Sequence, residues 1–365
     1  MAGLYIHIPF CASRCIYCGF YSTTNVGLQD KYVNSICQEM TIRPERPNIS
    51  TIYFGGGTPS QLSYKNFVKL FDHIFRTYTV DTNAEITVEC NPDDINEQTF
   101  NHLPVNRVSM GAQSFSDVRL RFLCRRHTAT EVEQAVTHLR QQGINNISID
   151  LMFGFPDETM TDWEQDLRRA LKLDVEHISA YGLMYEEGTP LYKLWQANKV
   201  KEIDENLSLA MYDKLVRALT SAGYEHYEIS NFAKLGFRSK HNSAYWHGIP
   251  YIGIGAAAHS YDQSTRSWNV SDIRRYIDSI EKGILPMEIE RLDEETKYND
   301  LVTTALRTRE GINLDALAPR YKNYLLEAGK DYISRGLLVL EDNSLHLSMA
   351  GINISNTIMS DLMWV

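Results

Sequence analysis

Cys11, Cys15 and Cys18 form a Cys-x-x-x-Cys-x-x-Cys run that follows directly on a β-like segment, Leu4 to Ile8. Three of the chain's six cysteines thus fall within eight residues, and thiolates so close on one loop can hold a single metal centre. A zinc ion would want a fourth nitrogen or sulfur ligand at tetrahedral geometry. The loop offers no further cysteine, although His7 lies close by. A 4Fe-4S cluster held by three cysteines instead keeps one iron free of protein, and an open iron can bind a small molecule. The remaining alternative is three thiols that only pack.

Other candidate groups stand further along. Gly55-Gly56-Gly57-Thr58-Pro59-Ser60 ends a short strand, Thr51 to Phe54, and glycines let backbone N–H groups approach a ligand closely. Glu89, Gln113 and Asp150 each stand at or near the C-terminal end of a segment that otherwise reads apolar. A polar group there is costly to bury unless something bonds to it. Each alone could be a satisfied interior hydrogen bond, whereas together on successive strands they make one wall of a site. His241, with Tyr245 and Trp246 close behind, combines a candidate axial iron ligand with flat aromatic surfaces suited to a porphyrin. A histidine near aromatics is also an ordinary structural residue.

The elements that must position these groups alternate. Helical spacing covers Leu28 to Met40, Tyr64 to Phe75, Ala129 to Gln142 and Met160 to Leu173, and strand-like runs begin at Leu4, Thr51, Glu85, Arg107, Ile147 and His177. Six strands separated by helices imply parallel pairing with right-handed crossovers, a partial (β/α)6 TIM-like barrel. Polar residues at the C-terminal ends of such strands face a ligand. Beyond the sixth strand Gly188-Thr-Pro190 breaks the chain, Lys193 to Glu205 is polar, a helix covers Leu207 to Ala222, and Tyr224 to Asn231 is strand-like. Gly253 to His259 is a small-residue turn, with His259 a secondary candidate. From about Leu292, helices at Glu294 to Thr308 and Tyr321 to Ser334, a hairpin over Asp342-Asn343 and a last helix from Ala350 to Asp361 make a small α+β unit. The expected division is 1–190, 191–290 and 291–365.

Composition bounds the function. At 365 residues the chain suits a barrel-sized unit with a smaller appendage. No apolar run is long enough to cross a bilayer, and the N-terminus has no signal pattern, so a reducing cytoplasm is expected, where thiols serve metals better than disulfides. A net charge of -10 argues against general nucleic-acid binding. Cys37, Cys90 and Cys124 are expected to be buried packing residues.

The cysteine spacing resembles that of the radical S-adenosylmethionine (SAM) superfamily. Tyr5-x-His7-x-Pro9-Phe10-Cys11 and Cys15-x-Tyr17-Cys18 narrow the likeness to the oxygen-independent coproporphyrinogen III oxidase family. The resemblance implies a 4Fe-4S cluster on Cys11, Cys15 and Cys18, with SAM chelated to the open iron. It places SAM contacts at Tyr5, Tyr17, Gly56, Gly57, Thr58 and Glu89. A second SAM-sized pocket would lie at Gln113, Arg125, Asp150 and Met184, although Arg125-Arg126-His127 could also be a solvated face. His241-Asn242-x-x-Tyr245-Trp246 resembles the haem-binding signature of the HemW-like haem chaperone branch, and the C-terminal unit resembles that family's winged-helix-like domain, read here as a cover over the barrel mouth. In the oxidase branch a further cysteine follows the third by two residues, where this chain has Phe20, and an N-terminal extension precedes the first strand, where this chain begins almost at once.

The resemblance therefore implies a haem carrier that holds haem and passes it to apo-haemoproteins, including those of a respiratory chain, in the cytoplasm or at the cytoplasmic face of a membrane through a partner. Homodimerisation is an expectation of the family alone. The alternative is a radical SAM oxidoreductase acting on coproporphyrinogen III through a 5′-deoxyadenosyl radical. A third reading keeps the radical chemistry and changes the substrate.

Overall fold

The structure, a computed structural model, describes residues 1–365. Strand β1 (Ala2–Ile8), helix α1 (Gln29–Ile42), β2 (Ile49–Gly56), α2 (Tyr64–Thr77), β3 (Val80–Cys90), β4 (Arg107–Gln113), α3 (Asp117–Phe122), α4 (Ala129–Gln141), β5 (Ile147–Phe153), α5 (Met160–Lys172) and β6 (His177–Gly182) follow one another. The six strands pair in sequence order, every neighbour parallel. This is the expected βα alternation. Two features start the helices cleanly: Thr128 with Glu131 and Thr159 with Asp162 form capping boxes at the starts of α4 and α5, each worth about 1 kcal/mol.

The chain continues through α6 (Pro190–Gln196), α7 (Glu205–Ser221), β7 (Glu225–Glu228), β8 (Asn231–Ala233), α8 (Lys240–Trp246), β9 (Tyr251–Ile254), β10 (His259–Tyr261), β11 (Thr265–Asn269), α9 (Ile273–Glu281) and β12 (Met287–Arg291). These strands extend the same sheet at both edges, giving twelve strands in the order β12-β11-β10-β9-β1-β2-β3-β4-β5-β6-β8-β7. Because β9 occupies the free edge of β1 and β8 that of β6, those two strands do not pair with each other, and the barrel is partial. Helix α6 begins inside the region read from sequence as a break and polar chain; Thr189 caps it and Pro190 occupies its first turn.

Strand alternation explains which face meets the helices. Leu4, Ile6 and Ile8, Ile52 and Phe54, Ile86 and Val88, Val108 and Met110, Ile147, Ile149 and Leu151, and Ile178 and Ala180 join one apolar core with residues of α1, α2, α4, α5, α7 and α9. The intervening residues face the other way and are mostly polar: Tyr5 and His7, Thr51 and Tyr53, Glu85, Thr87 and Glu89, Arg107 and Ser109, Ser148 and Asp150, His177 and Ser179. This corrects the expectation that Glu89 and Asp150 interrupt otherwise apolar strands. The strands are two-faced, and the barrel interior is a polar chamber.

The C-terminal unit has its own core, from Tyr298 to Leu362. It comprises α10 (Glu294–Ala305), β13 (Ile312–Asn313), α11 (Pro319–Ala328), α12 (Lys330–Ser334), β14 (Leu338–Glu341), β15 (Ser344–Leu347), α13 (Met349–Ile352) and α14 (Ser355–Asp361). The three strands form an antiparallel sheet, with β15 in the middle, in a winged-helix-like arrangement. Asp342 and Asn343 turn the hairpin with φ of 46° and 62°, as a primed two-residue turn requires. The single helices expected at Tyr321 to Ser334 and Ala350 to Asp361 are each broken in two. No helix is long and apolar enough to cross a membrane.

Candidate functional site at the upper mouth of the barrel

The loop after β1 carries the three cysteines over the C-terminal strand ends. The Thr58 hydroxyl donates to Cys11 Sγ at 3.5 Å, and Arg125 Nη1 to Cys15 Sγ at 3.6 Å. The Phe20 backbone N–H reaches Cys18, and the Ser22 hydroxyl reaches Cys11. Burial pushes the Cys11 and Cys18 thiols up; those donors oppose the shift, and the neighbouring sulfurs raise it further. Each sulfur therefore has a hydrogen-bond donor beside it. That donor set suits anionic sulfur, as thiolates and cluster sulfides require, and metal loading would release the thiol protons. No three His, Cys, Asp or Glu side chains converge closely enough to hold one ion.

The glycine turn differs from expectation in one respect. Its N–H groups are already engaged: Gly56 N with Glu89 Oε2 at 3.0 Å, Gly57 N with Ile8 O at 2.9 Å, and Thr58 N with Phe10 O at 2.8 Å. What the turn offers a ligand is carbonyl oxygen, which accepts from an ammonium group. Gly56 is required twice over: its φ is +117°, and a Cβ there would stand 2.5 Å from the His7 ring.

Glu89, on β3, also accepts from the Tyr53 hydroxyl at 2.8 Å. Burial raises its pKa to about 7, against the Tyr53 and Gly56 hydrogen bonds and with the help of the Asp150 charge. Asp150, on β5, is raised to about 6, mainly by burial, against hydrogen bonds from Ser179 and Ser109 and the charges of Arg107 and Arg125. Arg125 belongs to the site and not to a solvated face: Nη2 donates to Gly111 O at 2.6 Å and Asn91 Oδ1 at 2.8 Å. Its neighbours divide, with Arg126 paired outside to Asp93 and Asp94 and His127 buried against Ala112 O.

Gln113 sits beside Arg125, where a Cβ on Gly111 would meet both side chains. Its φ of 63° re-aims the end of β4 where the register with β5 slips. A non-glycine residue holds that conformation at a cost of roughly 1–3 kcal/mol, a cost concentrated at functional sites. Tyr17 lies within electrostatic reach of Arg125, Cys15, Cys18 and Asp150. Met184 is 61% exposed beyond β6, and Phe20 is 73% exposed beside Cys18. Tyr5 lies deeper, its hydroxyl 3.1 Å from His7 Nδ1.

The structure parts His241, Asn242, Tyr245 and Trp246 from this mouth. They lie on α8, which packs against the N-terminal strand ends. His241 is 1% exposed, its Nδ1 2.7 Å from Thr51 Oγ1 and its Nε2 2.7 Å from the Tyr245 hydroxyl. Its ring stacks on Tyr53 at 4.9 Å, and the backbone N–H groups of Lys240 and His241 donate to buried Glu85. Asn242 N is held by the Ser239 cap, and Trp246 lies under the Arg307 guanidinium at 5.0 Å. Both ring nitrogens of His241 are thus occupied, one of them by Tyr245, while Trp246 turns to Arg307.

Two smaller expectations also change. The amides of Gly255 and Ala256 are bonded to Glu39 and Tyr32 of α1, so that turn serves the fold, and His259 is exposed beside Trp268. Cys37 and Cys90 are buried, but Cys124 is exposed. Sequence reasoning passed over Asn91, Tyr53, Arg107, Ser109 and Ser179; the polar member at every second position of each strand was the signal that could have found them.

Comparison with known proteins agrees with this fold. Residues 5–170 match the model of the radical SAM superfamily. The chain is 36% identical to a Bacillus subtilis protein described as heme chaperone HemW, over 98% of each chain. It is 31% identical to a Lactococcus lactis protein of the same description, over 97% of this chain and 95% of the relative. The solved structure of Escherichia coli coproporphyrinogen III oxidase, HemN, superposes with a TM-score of 0.85 at 21% identity, covering 99% of this chain and 90% of that one.

Proposed function

From the premise that this chain belongs to the HemW-like branch of the oxygen-independent coproporphyrinogen III oxidase family, within the radical SAM superfamily, we propose that it is a haem chaperone: it binds a 4Fe-4S cluster, SAM and haem, and delivers haem to apo-haemoproteins in the cytoplasm. The observation that carries this reading is likeness along the whole chain to a protein so described, 98% of each being covered. Phe20 supports it, because an exposed apolar side chain stands where the oxidase resemblance would put a thiol.

Cys11, Cys15 and Cys18 hold the cluster, with Thr58, Ser22 and Arg125 stabilising its negative sulfur. The carbonyls of Gly56 and Gly57 receive the cofactor's ammonium group, and Glu89 accepts from a ribose hydroxyl. Tyr5 and Tyr17 are further contacts of SAM in this reading. Gln113, Arg125, Asp150 and Met184 line the second pocket. When bound, these groups supply a redox-capable cap that stabilises the folded barrel, since whatever binds only the native state favours it. His241, Asn242, Tyr245 and Trp246 form the haem region, and ligation through His241 Nε2 displaces the Tyr245 hydroxyl.

Glu89 gives this reading a pH signature. Its folded pKa of about 7 exceeds the ordinary carboxylate value, so protonation favours the ligand-free fold as pH falls from 7 towards 4.5, and ionisation above 7 prepares the site for a sulfonium cation. SAM affinity, measured calorimetrically on the cluster-loaded protein, is expected to rise about tenfold from pH 6 to pH 8, the order of one charge-assisted hydrogen bond. Glu89→Gln flattens that profile; an unchanged profile in the variant excludes Glu89 as its source.

The function is tested by titrating the purified protein with haem and following the Soret band. Saturable uptake is expected, and its absence overturns the proposal. Fold similarity alone connects the chain to coproporphyrinogen oxidation; under anaerobic conditions with dithionite and SAM, consumption of coproporphyrinogen III would restore that reading.

A further inference from the structure

Arg107 opens β4 with its side chain inside the barrel and is 1% exposed. Its Nε and Nη1 are shut off from solvent and bonded to nothing. The Glu89 and Asp150 carboxylates act on its charge, but the two unmet N–H donors still carry a desolvation cost, so its position asks for an explanation. Several charged and polar groups at this level have hydrogen-bond partners of their own. Glu89 is held by Tyr53 and Gly56 N, and Glu85 by the backbone of α8. His177 is bonded to Ser148 and Tyr227, and His241 to Thr51 and Tyr245. Asp150 has the Ser179 and Ser109 hydroxyls.

On the adjoining strand Thr87 Oγ1 is also without a hydrogen-bond partner, on a residue that is fully buried. Thr87 is the register partner of both Arg107 and Tyr53, and Tyr53 stacks on His241. The two orphans are thus neighbours on adjoining strands, one residue away from the histidine of α8. Two N–H donors in a planar fork and a hydroxyl beside them match the acceptor pattern of a carboxylate.

We propose that Arg107 and Thr87 form a carboxylate-binding site inside the barrel, and that its occupant is a propionate arm of haem. This rests on the reading of haem as cargo. Pairing there anchors the porphyrin next to α8. The site also selects among porphyrins, because one lacking free carboxylates leaves those N–H donors unmet.

The test is Soret titration of the full-length protein with haem and with haem dimethyl ester, for wild type and Arg107→Met, alongside thermal melting and SAM binding. Wild type is expected to bind the ester about tenfold or more weakly than haem, the order of a lost charge-assisted pair. Arg107→Met is expected to bind both with equal, weakened affinity, to melt cooperatively when ligand-free, and to keep its SAM affinity. Equal binding of haem and ester by wild type overturns the assignment while leaving the cargo reading intact, and so does discrimination retained in Arg107→Met. Loss of SAM affinity in the variant makes the SAM carboxylate the occupant and also overturns it. Failure of wild type to bind either porphyrin overturns the cargo reading and this inference together.

Discussion

Replacing Cys11, Cys15 or Cys18 singly with alanine is expected to abolish the visible absorbance and the bound iron and sulfide that wild type acquires on anaerobic reconstitution. In the proposed site each thiolate would anchor a different iron, and the loop has no spare sulfur to substitute. The donors at Thr58, Ser22 and Arg125 are fixed to particular sulfurs, so a cluster shifted towards another residue would lose them. Alanine at Cys37, Cys90 or Cys124 makes the control, because the first two are buried away from the loop and the third is exposed. Those variants are expected to reconstitute fully, Cys37→Ala and Cys90→Ala losing at most about 1–3 kcal/mol of stability through the small cavities they leave. Iron retained at wild-type level by Cys11→Ala, Cys15→Ala or Cys18→Ala would contradict the three-thiolate assignment.

The largest stability effect is expected at Glu39, far from any sulfur. This carboxylate is fully buried on α1 and accepts from Arg43 at 2.9 Å, Asn269 Nδ2 at 2.8 Å, Gly255 N at 2.8 Å and the Tyr276 hydroxyl at 2.6 Å. Arg43 itself is 3% exposed and donates onward to Gly253 O at 3.1 Å. One side chain thus ties α1 to β9, β11 and α9, the elements that extend the sheet beyond β1. Glu39→Ala leaves a buried guanidinium without its counter-charge and three further donors unmet. The expected loss is about 3–5 kcal/mol, a large share of the roughly 5–15 kcal/mol that holds a domain folded. Urea unfolding followed by circular dichroism measures it. A loss under about 1 kcal/mol would mean that water or a neighbouring group replaces the carboxylate.

The parts that could be read from sequence are those in which local chemistry dictates geometry. The cysteine loop, the glycine turn and the βα alternation are encoded within a few residues, and the structure places Cys11 on Thr58 and Cys15 on Arg125 accordingly. The Asp342-Asn343 hairpin is of the same kind. What escaped was set by partners distant along the chain. The histidine of α8 looks like an open ligand in isolation, but Thr51, 190 residues away, occupies one of its nitrogens. Arg107 looks like an ordinary strand-opening charge until the barrel turns it inward. Glu39 sits in an amphipathic helix, and its partners Gly255, Asn269 and Tyr276 follow more than two hundred residues later. The polar alternation within each strand was visible, yet it was read one residue at a time, so a polar interior was taken for a few isolated exceptions.

The measurement that tests the account most directly is haem transfer. Protein loaded with one equivalent of haem, cluster intact, is mixed with an apo-haemoprotein whose holo spectrum is distinct, and the donor and acceptor Soret bands are followed together. The account predicts that the donor band falls as the acceptor band rises, faster than from free haem at the same concentration, and that coproporphyrinogen III added to the same protein with reductant and SAM is left unconsumed. Haem that stays with the donor, or an acceptor that fills no faster than from free haem, would contradict it.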